Sequence, residues 1–459
     1  MINILKLSAQ QIKTAIDLSH INETDTIDEQ QAEQAYELFR SLHSDKVNKK
    51  IFLSGPDNVK PQIDAKGDLE PVTVNFFNNP HRIVYLYRWV INVLPFRDLF
   101  SEVGKLPLVR TIDNFEGYIQ KVFKDYLSKI RKIYRQVSGK YKLIKKGNIK
   151  DIEGLCKALE KAVHTYFKGF TSEAFETLEK AIHDYLLPNG YLDHIMTSDS
   201  PDSSILYKMR IGSNRTYTED EMFHIPFELR GLVNTNRYSI PGLPCIYLGS
   251  SALTCWEELG KPDLNTAQTS LVLTKSITYL DFSTPPSVAM ENLINMYKKH
   301  GLDLNSMDKV YKELVSYVVV WPLMAACSIR VKHPDQAFKP EYIISQMLLQ
   351  WIRKSKYTGI RYFSTKLDNY NKNSNHLYIN YAFPAQEPQE KGHCPVLKQH
   401  FNFTNAVPWQ VFQLYKDSQY DISVEHSHIG TVDLVKGLEL PYHSTDFFKL
   451  ECLLTQNLN

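Results

Sequence analysis

The sequence changes character near residue 205, and this change constrains the fold more than any other feature. Before it, apolar residues recur at spacings of three and four, the period of an amphipathic helix. After it, short apolar or β-branched runs alternate with turn residues, as in the short strands of an α+β domain. Segment 188–204, rich in Pro, Gly, Asp and Ser, separates the two parts. We therefore predict a mainly helical region at 1–200 and an α+β domain at 201–459.

Two helical patterns stand out in the first region. At 151–187, two apolar stripes predict a helical hairpin, with Gly169 in its turn and Thr171 or Ser172 capping the second helix. Residues 121–150 hold eleven Lys and Arg against one acid, and their first half predicts a basic amphipathic helix. Such a helix can bind phosphate, nucleic acid or an acidic partner. A solvated helix face is the simpler interpretation and the favoured one.

Five runs of the second region carry a strand pattern, and two segments carry a helical one. The predicted strands are ILYKMRI, CIYLG, TSLVLTKSITYLDF, YVVVWPLMAACSIRV and GIRYFST. The predicted helices lie near 251–259, with Ser250 or Ser251 as the cap, and near 341–354. The less regular tail at 385–459 is expected to add elements to the domain.

Composition and charge exclude several classes of protein. Apolar residues make up 43% and charged residues 23%, which is ordinary for a globular protein and excludes a disordered or fibrous chain. A formal net charge of +2 argues against coating nucleic acid through the overall field. The six cysteines form no CxxC pair, which favours buried thiols in a reducing compartment. Without a secretory signal or a long apolar run, the expected location is cytoplasmic.

Several polar residues of the second region stand where packing does not readily explain them. They are Arg210, Arg237, Glu257, Glu258 and Ser364. Taken singly, each has an ordinary explanation, such as a surface charge, a solvated helix residue or the cap of a strand end. Taken together, they stand in an ordered series of segments between residues 206 and 384.

This series resembles the RES domain family, which is named for an Arg, a Glu and a Ser. The matching segments are LYKMR (206–210), RYSIPGLPCIYLGSSALTCWEEL (237–259), YIISQMLLQWIRKSKYTGIRYFST (342–365) and YINYAFP (378–384). Tyr247 and Glu258 are eleven positions apart, which fits the tyrosine–glutamate step of the family and favours Glu258 over Glu257. The resemblance covers a core at 205–384 and leaves a C-terminal extension.

The resemblance implies a fold, a substrate and a biological setting. It implies an ADP-ribosyltransferase-like α+β core with a cleft for NAD, here preceded by the mainly helical region. It also implies a toxin, often paired with an antitoxin, that degrades NAD with inorganic phosphate or water as the acceptor. We accordingly expect NAD as substrate, no metal and no membrane partner. Because a long region precedes the core, an autoregulated NAD-depleting effector in phage defence and a homo-oligomer are also expected.

The residue types suit this chemistry. Arg210 and Arg237 are assigned to phosphate oxygens, which a guanidinium binds through a bidentate fork. Cleaving the nicotinamide–ribose bond develops positive charge on the ribose, and Glu258 is the candidate carboxylate that stabilises it. A serine can hydrogen-bond a ribose hydroxyl, and a tyrosine can stack on a ring. The expected catalytic residues are Arg210, Glu258 and Ser364, and the expected cofactor-binding residues are Arg237, Tyr247, Tyr238, Glu257 and Gln346.

Two alternative functions remain open at this stage. A mono-ADP-ribosyltransferase would use the same cleft and pass ADP-ribose to a protein target. A non-enzymatic module would bind nucleic acid through residues 121–150, with an affinity that falls steeply with salt. In either case the N-terminal region could restrain the cleft, drive oligomerisation or sense a trigger.

Overall fold

The computed structural model describes most of the chain beyond residue 94 and divides it into two compact units. The described ranges are 95–136, 143–195, 203–212, 215–290, 304–367, 374–417, 430–435 and 438–456, together with helical residues 30, 34 and 37. The first unit comprises 1–105, 124–150 and 289–319, and the second comprises 106–123, 151–288 and 320–459. These two units are compact groups of residues and say nothing about separate functions. The predicted division at residue 200 into a helical region and an α+β domain with different roles stays a prediction.

The described residues form helices along the chain and strands only after residue 202. Apart from helical residues at 95–101 and 286–290, the α-helices are α1 (Phe115–Gln136), α2 (Lys146–Phe167), α3 (Thr171–Tyr185), α4 (Tyr191–His194), α5 (Glu219–Met222), α6 (Ala252–Glu258), α7 (Leu304–Cys327), α8 (Ile343–Lys354), α9 (Pro395–His400), α10 (Trp409–Tyr415) and α11 (Asp446–Gln456). The strands are β1 (Ser203–Ile211), β2 (Cys245–Gly249), β3 (Ala267–Lys275), β4 (Tyr279–Phe282), β5 (Gly359–Phe363), β6 (Ile379–Pro384), β7 (Phe401–Phe403), β8 (Val407–Pro408), β9 (Thr431–Val435) and β10 (Leu438–Pro441). The molecule is thus mixed α+β, with a helical region ahead of a mixed sheet. In the part of the chain that is described, no helix is both long and apolar enough to cross a bilayer.

The predicted basic helix is confirmed in α1. Within the first unit, Tyr126 and Ile130 are fully buried, and the Tyr126 hydroxyl donates to the Val318 carbonyl at 2.8 Å. The Lys and Arg side chains between these apolar positions, such as Lys124 and Arg135, are exposed. The helix is therefore amphipathic because its apolar residues recur every three or four positions.

The predicted helical hairpin is also confirmed, in the second unit. Helix α3 follows the α2 helix after a short turn in which Gly169 adopts a φ of +89°, a left-handed conformation that glycine tolerates. The predicted cap is wrong, since the N-cap is Phe170 and makes no side-chain cap hydrogen bond. The hairpin attaches to α8 through Lys354, whose ammonium lies 3.1 Å from Glu179 and 4.6 Å from the Phe175 ring.

One predicted strand is wrong. The run YVVVWPLMAACSIRV, from residue 317, forms the end of α7, with Pro322 inside the helix. A continuous apolar run has no period, so the pattern fits a buried helix as well as a buried strand. Val320, Trp321 and Leu323 are all fully buried, which shows that the run is apolar because the helix is enclosed on all sides.

An eight-stranded sheet is the core of the second unit. Its order is β4-β5-β6-β2-β1-β3-β7, with β8 also pairing with β3. The β4–β5 pair is parallel and the other pairs are antiparallel. Residues alternate between two apolar clusters along β1 and β3: Leu206 and Val272 lie in one cluster, and Tyr207 and Leu271 in the other.

The sheet opens between two of its central strands. Strand β1 pairs with β3 over nine residues, and β2 pairs with β6 over all five of its residues. Strands β1 and β2 share only the pair Tyr207↔Gly249. Beyond that point the two strands diverge, and their edges are free to line a cleft.

A segment ahead of α1 fastens one wall of this cleft. The Arg330 backbone N–H donates to the Leu108 carbonyl at 2.8 Å, and Val109 and Arg330 form a β-bridge. The Arg110 Nε lies 3.2 Å from Glu341 Oε1, and both side chains are almost fully buried. Glu341 also accepts the Lys332 backbone N–H at 3.1 Å. Residues 330–341 are thereby held by a part of the chain that precedes the sheet.

We predict that the Arg110–Glu341 ion pair is needed for the stability of the second unit. Glu341→Ala leaves a buried guanidinium without its counter-charge, which is expected to lower the free energy of unfolding by about 3–5 kcal/mol. Urea unfolding followed by circular dichroism measures the change. Glu341→Gln is expected to lose less, because its amide oxygen can still accept the Lys332 N–H.

The surface ion pair of Lys332 with Asp113 provides the matched control. The two side chains lie 2.6 Å apart, but the Asp113 side chain is 81% exposed, so Asp113→Ala should shift the unfolding midpoint little. Equal midpoints for wild type and Glu341→Ala would contradict the role given to the buried pair.

Candidate active site

A cleft of about 820 Å³ opens where β1 and β2 diverge. Strand β1 contributes Lys208 and Arg210, β2 contributes Tyr247, and Glu258 stands at the end of α6. Arg237, from the loop before β2, lies in the same lining. The structure therefore brings together four of the residues that the sequence singled out: Arg210, Arg237, Tyr247 and Glu258.

Glu258 is held by two donors on one carboxylate oxygen. The Ser364 hydroxyl donates to Oε1 at 2.5 Å, and the Asn380 amide donates to the same oxygen at 2.8 Å. The second oxygen, Oε2, lies 4.0 Å from the Lys366 ammonium, and about a third of the Glu258 side chain is exposed. Two fixed donors define the orientation of the carboxylate without removing it from solvent.

The local sequence explains why α6 ends at this point. The helix begins at Ser251, whose Oγ accepts the Thr254 N–H at 3.0 Å, as the sequence predicted. At the other end, the Lys366 ammonium donates to the carbonyls of Glu257 at 2.5 Å and Glu258 at 2.9 Å. These carbonyls belong to the last turn of the helix. The Glu257 carbonyl also accepts the Gly260 N–H at 3.1 Å, and the lysine adds a charged donor to both carbonyls.

Glu257 faces a different environment from its neighbour. Successive helical residues point about 100° apart, so adjacent glutamates cannot share one direction. Glu257 is buried and lies 2.9 Å from the Lys261 ammonium, and it is not among the residues that line the cleft. The predicted contact of Glu257 with a cofactor stays a prediction, with a local ion pair as its observed role.

Arg210 is held against the segment that follows its strand. Its Nη1 donates to the Glu221 carbonyl, and its guanidinium carbon lies 4.7 Å from the centre of the Tyr217 ring. The Glu221 carboxylate is in turn paired with Arg215, with one N–O distance of 2.9 Å. The turn after β1 thus fixes the Arg210 side chain at the cleft.

Arg237 is buried and contacts the end of α7, the residues just after it and Tyr342. Its Nη1 donates to the Cys327 carbonyl and its Nη2 to the Ile329 carbonyl, each at 2.9 Å. Its guanidinium also lies 5.1 Å from the centre of the Tyr342 ring. Arg237 therefore holds the backbone at Cys327 and Ile329 in place. Its predicted contact with phosphate remains a prediction.

The other three predicted residues lie at or behind the cleft. The Tyr247 hydroxyl donates to the Tyr238 carbonyl at 2.6 Å, and burial raises the pKa of Tyr247 well above its usual value. Tyr238 is itself buried, with its ring 4.5 Å from that of Tyr362. The Gln346 amide donates to the carbonyl of Asn236, a residue of the lining, at 3.3 Å.

Sequence reasoning missed two important groups in this site. Asn380 lies within the matched segment YINYAFP but carries no obvious signal, because a strand asparagine is usually structural. Lys208 could have been found, since alternation along β1 places it on the same face as Arg210. Further lining residues that the sequence did not indicate are Arg330, Lys339, Tyr342 and Lys366.

The described residues that line the cleft are predominantly cationic. Six of the described lining residues are Lys or Arg, whereas Glu258 is the single carboxylate among them. Two cysteines, Cys245 and Cys255, also line the cleft, and burial raises the pKa of each thiol to about 12. The cleft is therefore suited to an anionic ligand that has one electron-poor centre.

The fold and the site together define an α+β protein with a cation-lined cleft and a single oriented carboxylate. No known family profile matches the chain. A curated protein from Bacillus subtilis (strain 168), named "Putative toxin YopC", is 32% identical over 443 residues, which are 95% of this chain and 95% of that protein. The chain belongs to the same protein family as YopC. A solved chain from "Crystal structure of the M.tuberculosis MbcT-MbcA toxin-antitoxin complex" matches with a TM-score of 0.23 and 14% identity, over 49% of this chain and 96% of that chain.

Proposed function

We propose that this protein is a toxin that consumes NAD by cleaving its nicotinamide–ribosyl bond, as an NAD phosphorylase or NAD glycohydrolase. The observation that carries the proposal is Glu258, a carboxylate oriented by Ser364 and Asn380 at the edge of a cation-lined cleft. The RES-like segments and membership in the family of a protein named as a toxin support the same conclusion.

The cleft suits a dinucleotide in size and charge. Its volume of about 820 Å³ lies in the range of small-molecule sites. The pyrophosphate of NAD is anionic, and Arg210 and Arg237 contribute two guanidinium groups to the lining, which can bind phosphate oxygens. Tyr247 lines the same cleft, where its aromatic ring could stack on a ring of the ligand.

The carboxylate has a defined task in this reaction. Loss of nicotinamide leaves a positive charge on the ribose, which a nearby carboxylate stabilises. Because Glu258 Oε1 is already held by two donors, the carboxylate needs little reorganisation when that charge develops. The Ser364 hydroxyl donates to Glu258, so we assign Ser364 a positioning role rather than a nucleophilic one.

The proposal also implies a means of restraint. An enzyme that depletes NAD harms the cell that makes it, so we propose an antitoxin or another regulatory partner. A role in phage defence and a homo-oligomeric state are consistent with this activity and remain predictions.

We predict that Glu258 is essential for nicotinamide release. Full-length protein incubated with NAD should release nicotinamide, and Glu258→Gln should slow the release by roughly 100- to 1000-fold, as for loss of one preorganised charge-stabilising group. Chromatography of nicotinamide, with and without inorganic phosphate, measures the rate and identifies the acceptor. Glu257→Gln is the matched comparison and should lose far less, because Glu257 pairs with Lys261 outside the lining.

Other outcomes of this assay have distinct meanings. Intact NAD in every buffer, phosphate included, would reject the cleavage reaction. NAD loss that is stoichiometric with a labelled protein band would instead identify a mono-ADP-ribosyltransferase. Binding of nucleic acid that weakens steeply with salt and survives Glu258→Gln would indicate the non-enzymatic module.

We predict that Ser364 acts through Glu258. Ser364→Ala removes one of the two donors to Oε1, so it should lower kcat by about tenfold while KM changes little. Ser364→Thr keeps the hydroxyl and should recover most of the rate. Ser444→Ala, at an exposed serine that donates to the Pro441 carbonyl, is the control and should match wild type. An increase in KM with unchanged kcat would instead place Ser364 in direct contact with substrate.

A further inference from the structure

Lys208 lies in the cleft with few partners for its charge. Its ammonium donates to the Phe223 carbonyl at 2.7 Å, and it lies 5.8 Å from the centre of the Phe403 ring. Neither contact brings a counter-charge. Among the described residues, no carboxylate forms an ion pair with Lys208, and the Phe223 carbonyl is the one hydrogen-bond acceptor of its ammonium.

The groups that face Lys208 do not compensate its charge. Arg210, on the same face of β1, is also positive. Cys245 and Cys255, from β2 and α6, keep protonated thiols because burial raises the pKa of each to about 12. His224 is buried, its Nδ1 lies 2.7 Å from the Ile225 carbonyl and its Nε2 accepts the Cys394 N–H at 2.8 Å, so it is neutral.

The environment of Lys208 lowers the pKa of its ammonium. Desolvation, followed by the charge of Arg210, lowers the pKa of Lys208 to about 7. A partly buried cation without a counter-charge is costly, and the cost falls when an anion enters. An anion beside the ammonium would also raise the pKa again, because an opposite charge favours the protonated form.

We propose that Lys208 and Arg210 form an oxyanion-binding subsite on β1, and that an anion binds there together with a proton taken up by Lys208. The ligand class is a phosphoryl group or another tetrahedral oxyanion. The proposal rests on the proposed function only for the identity of the natural ligand, which would then be the pyrophosphate of NAD or the acceptor phosphate.

The sign of the pH dependence follows from the coupled proton. Below pH 7 the free protein already carries the proton, so an anion binds at full affinity. As the pH rises above 7, each binding event must also draw a proton from solution, so the affinity falls. A guanidinium is permanently charged, so the pH dependence of the subsite comes from Lys208.

The test uses sulfate, a tetrahedral oxyanion that keeps the same charge throughout the relevant pH range. Sulfate binding to the full-length protein is measured by the rise in Tm with concentration, against sodium chloride at equal ionic strength. Between about pH 6 and about pH 8.5, the wild-type affinity should fall by roughly 10- to 30-fold, because the protonated fraction of Lys208 falls by that factor.

Two substitutions separate charge from structure. Lys208→Met keeps the length of the side chain but should lose most of the sulfate affinity at low pH. Lys208→Arg keeps a permanent cation and should bind sulfate with little pH dependence. Lys275→Met, at an exposed lysine that ends β3, is the control and should behave like wild type.

The result distinguishes this proposal from the proposed function. Sulfate affinity that is independent of pH in wild type, or unchanged in Lys208→Met, would overturn the subsite even if NAD is cleaved. The expected pH dependence without any NAD cleavage would support the subsite and reject NAD as its ligand. With both activities present, Lys208→Met should raise KM for NAD more than it lowers kcat.

Discussion

The divergence of β1 from β2 is the constraint on which the rest of the site depends. Each strand is fully paired on its other side, so the sheet remains intact although only Tyr207 and Gly249 join the two halves. A continuous ladder would bring side chains of the two strands into contact and leave no room between them. The split exposes Lys208 and Arg210 on one strand to Tyr247 on the other, within a rigid framework.

The cleft also depends on residues that precede the sheet. The wall at 330–341 is fastened to residues 108–110 by backbone hydrogen bonds and a buried ion pair, and α8 carries the helical hairpin. Part of the region before residue 200 is therefore structural support for the site. A fragment that begins at the sheet would lose these contacts and expose the apolar face of α8.

The sequence predicted the elements with a clear period and the residues with a clear motif. The short helix with its Ser251 cap and the strands on either side of the cleft followed from local patterns. Arg210 and Glu258 were singled out by the resemblance to the RES family, because spacing alone did not distinguish them from ordinary charged residues. The sequence did not predict that the apolar run at the end of α7 is helical, because an unbroken apolar run has no period. Contacts such as that of Asn380 with Glu258 join distant segments, and a single sequence contains no local signal for them.

The two cleft thiols have a consequence for chemical susceptibility. Because burial raises the pKa of Cys245 and Cys255 to about 12, both thiols are protonated at neutral pH, and only the thiolate reacts readily. Peroxides and electrophilic compounds should therefore leave the cleft unmodified, although it contains two sulfur atoms. Covalent inhibitors that are directed at cysteine are therefore poorly suited to this cleft.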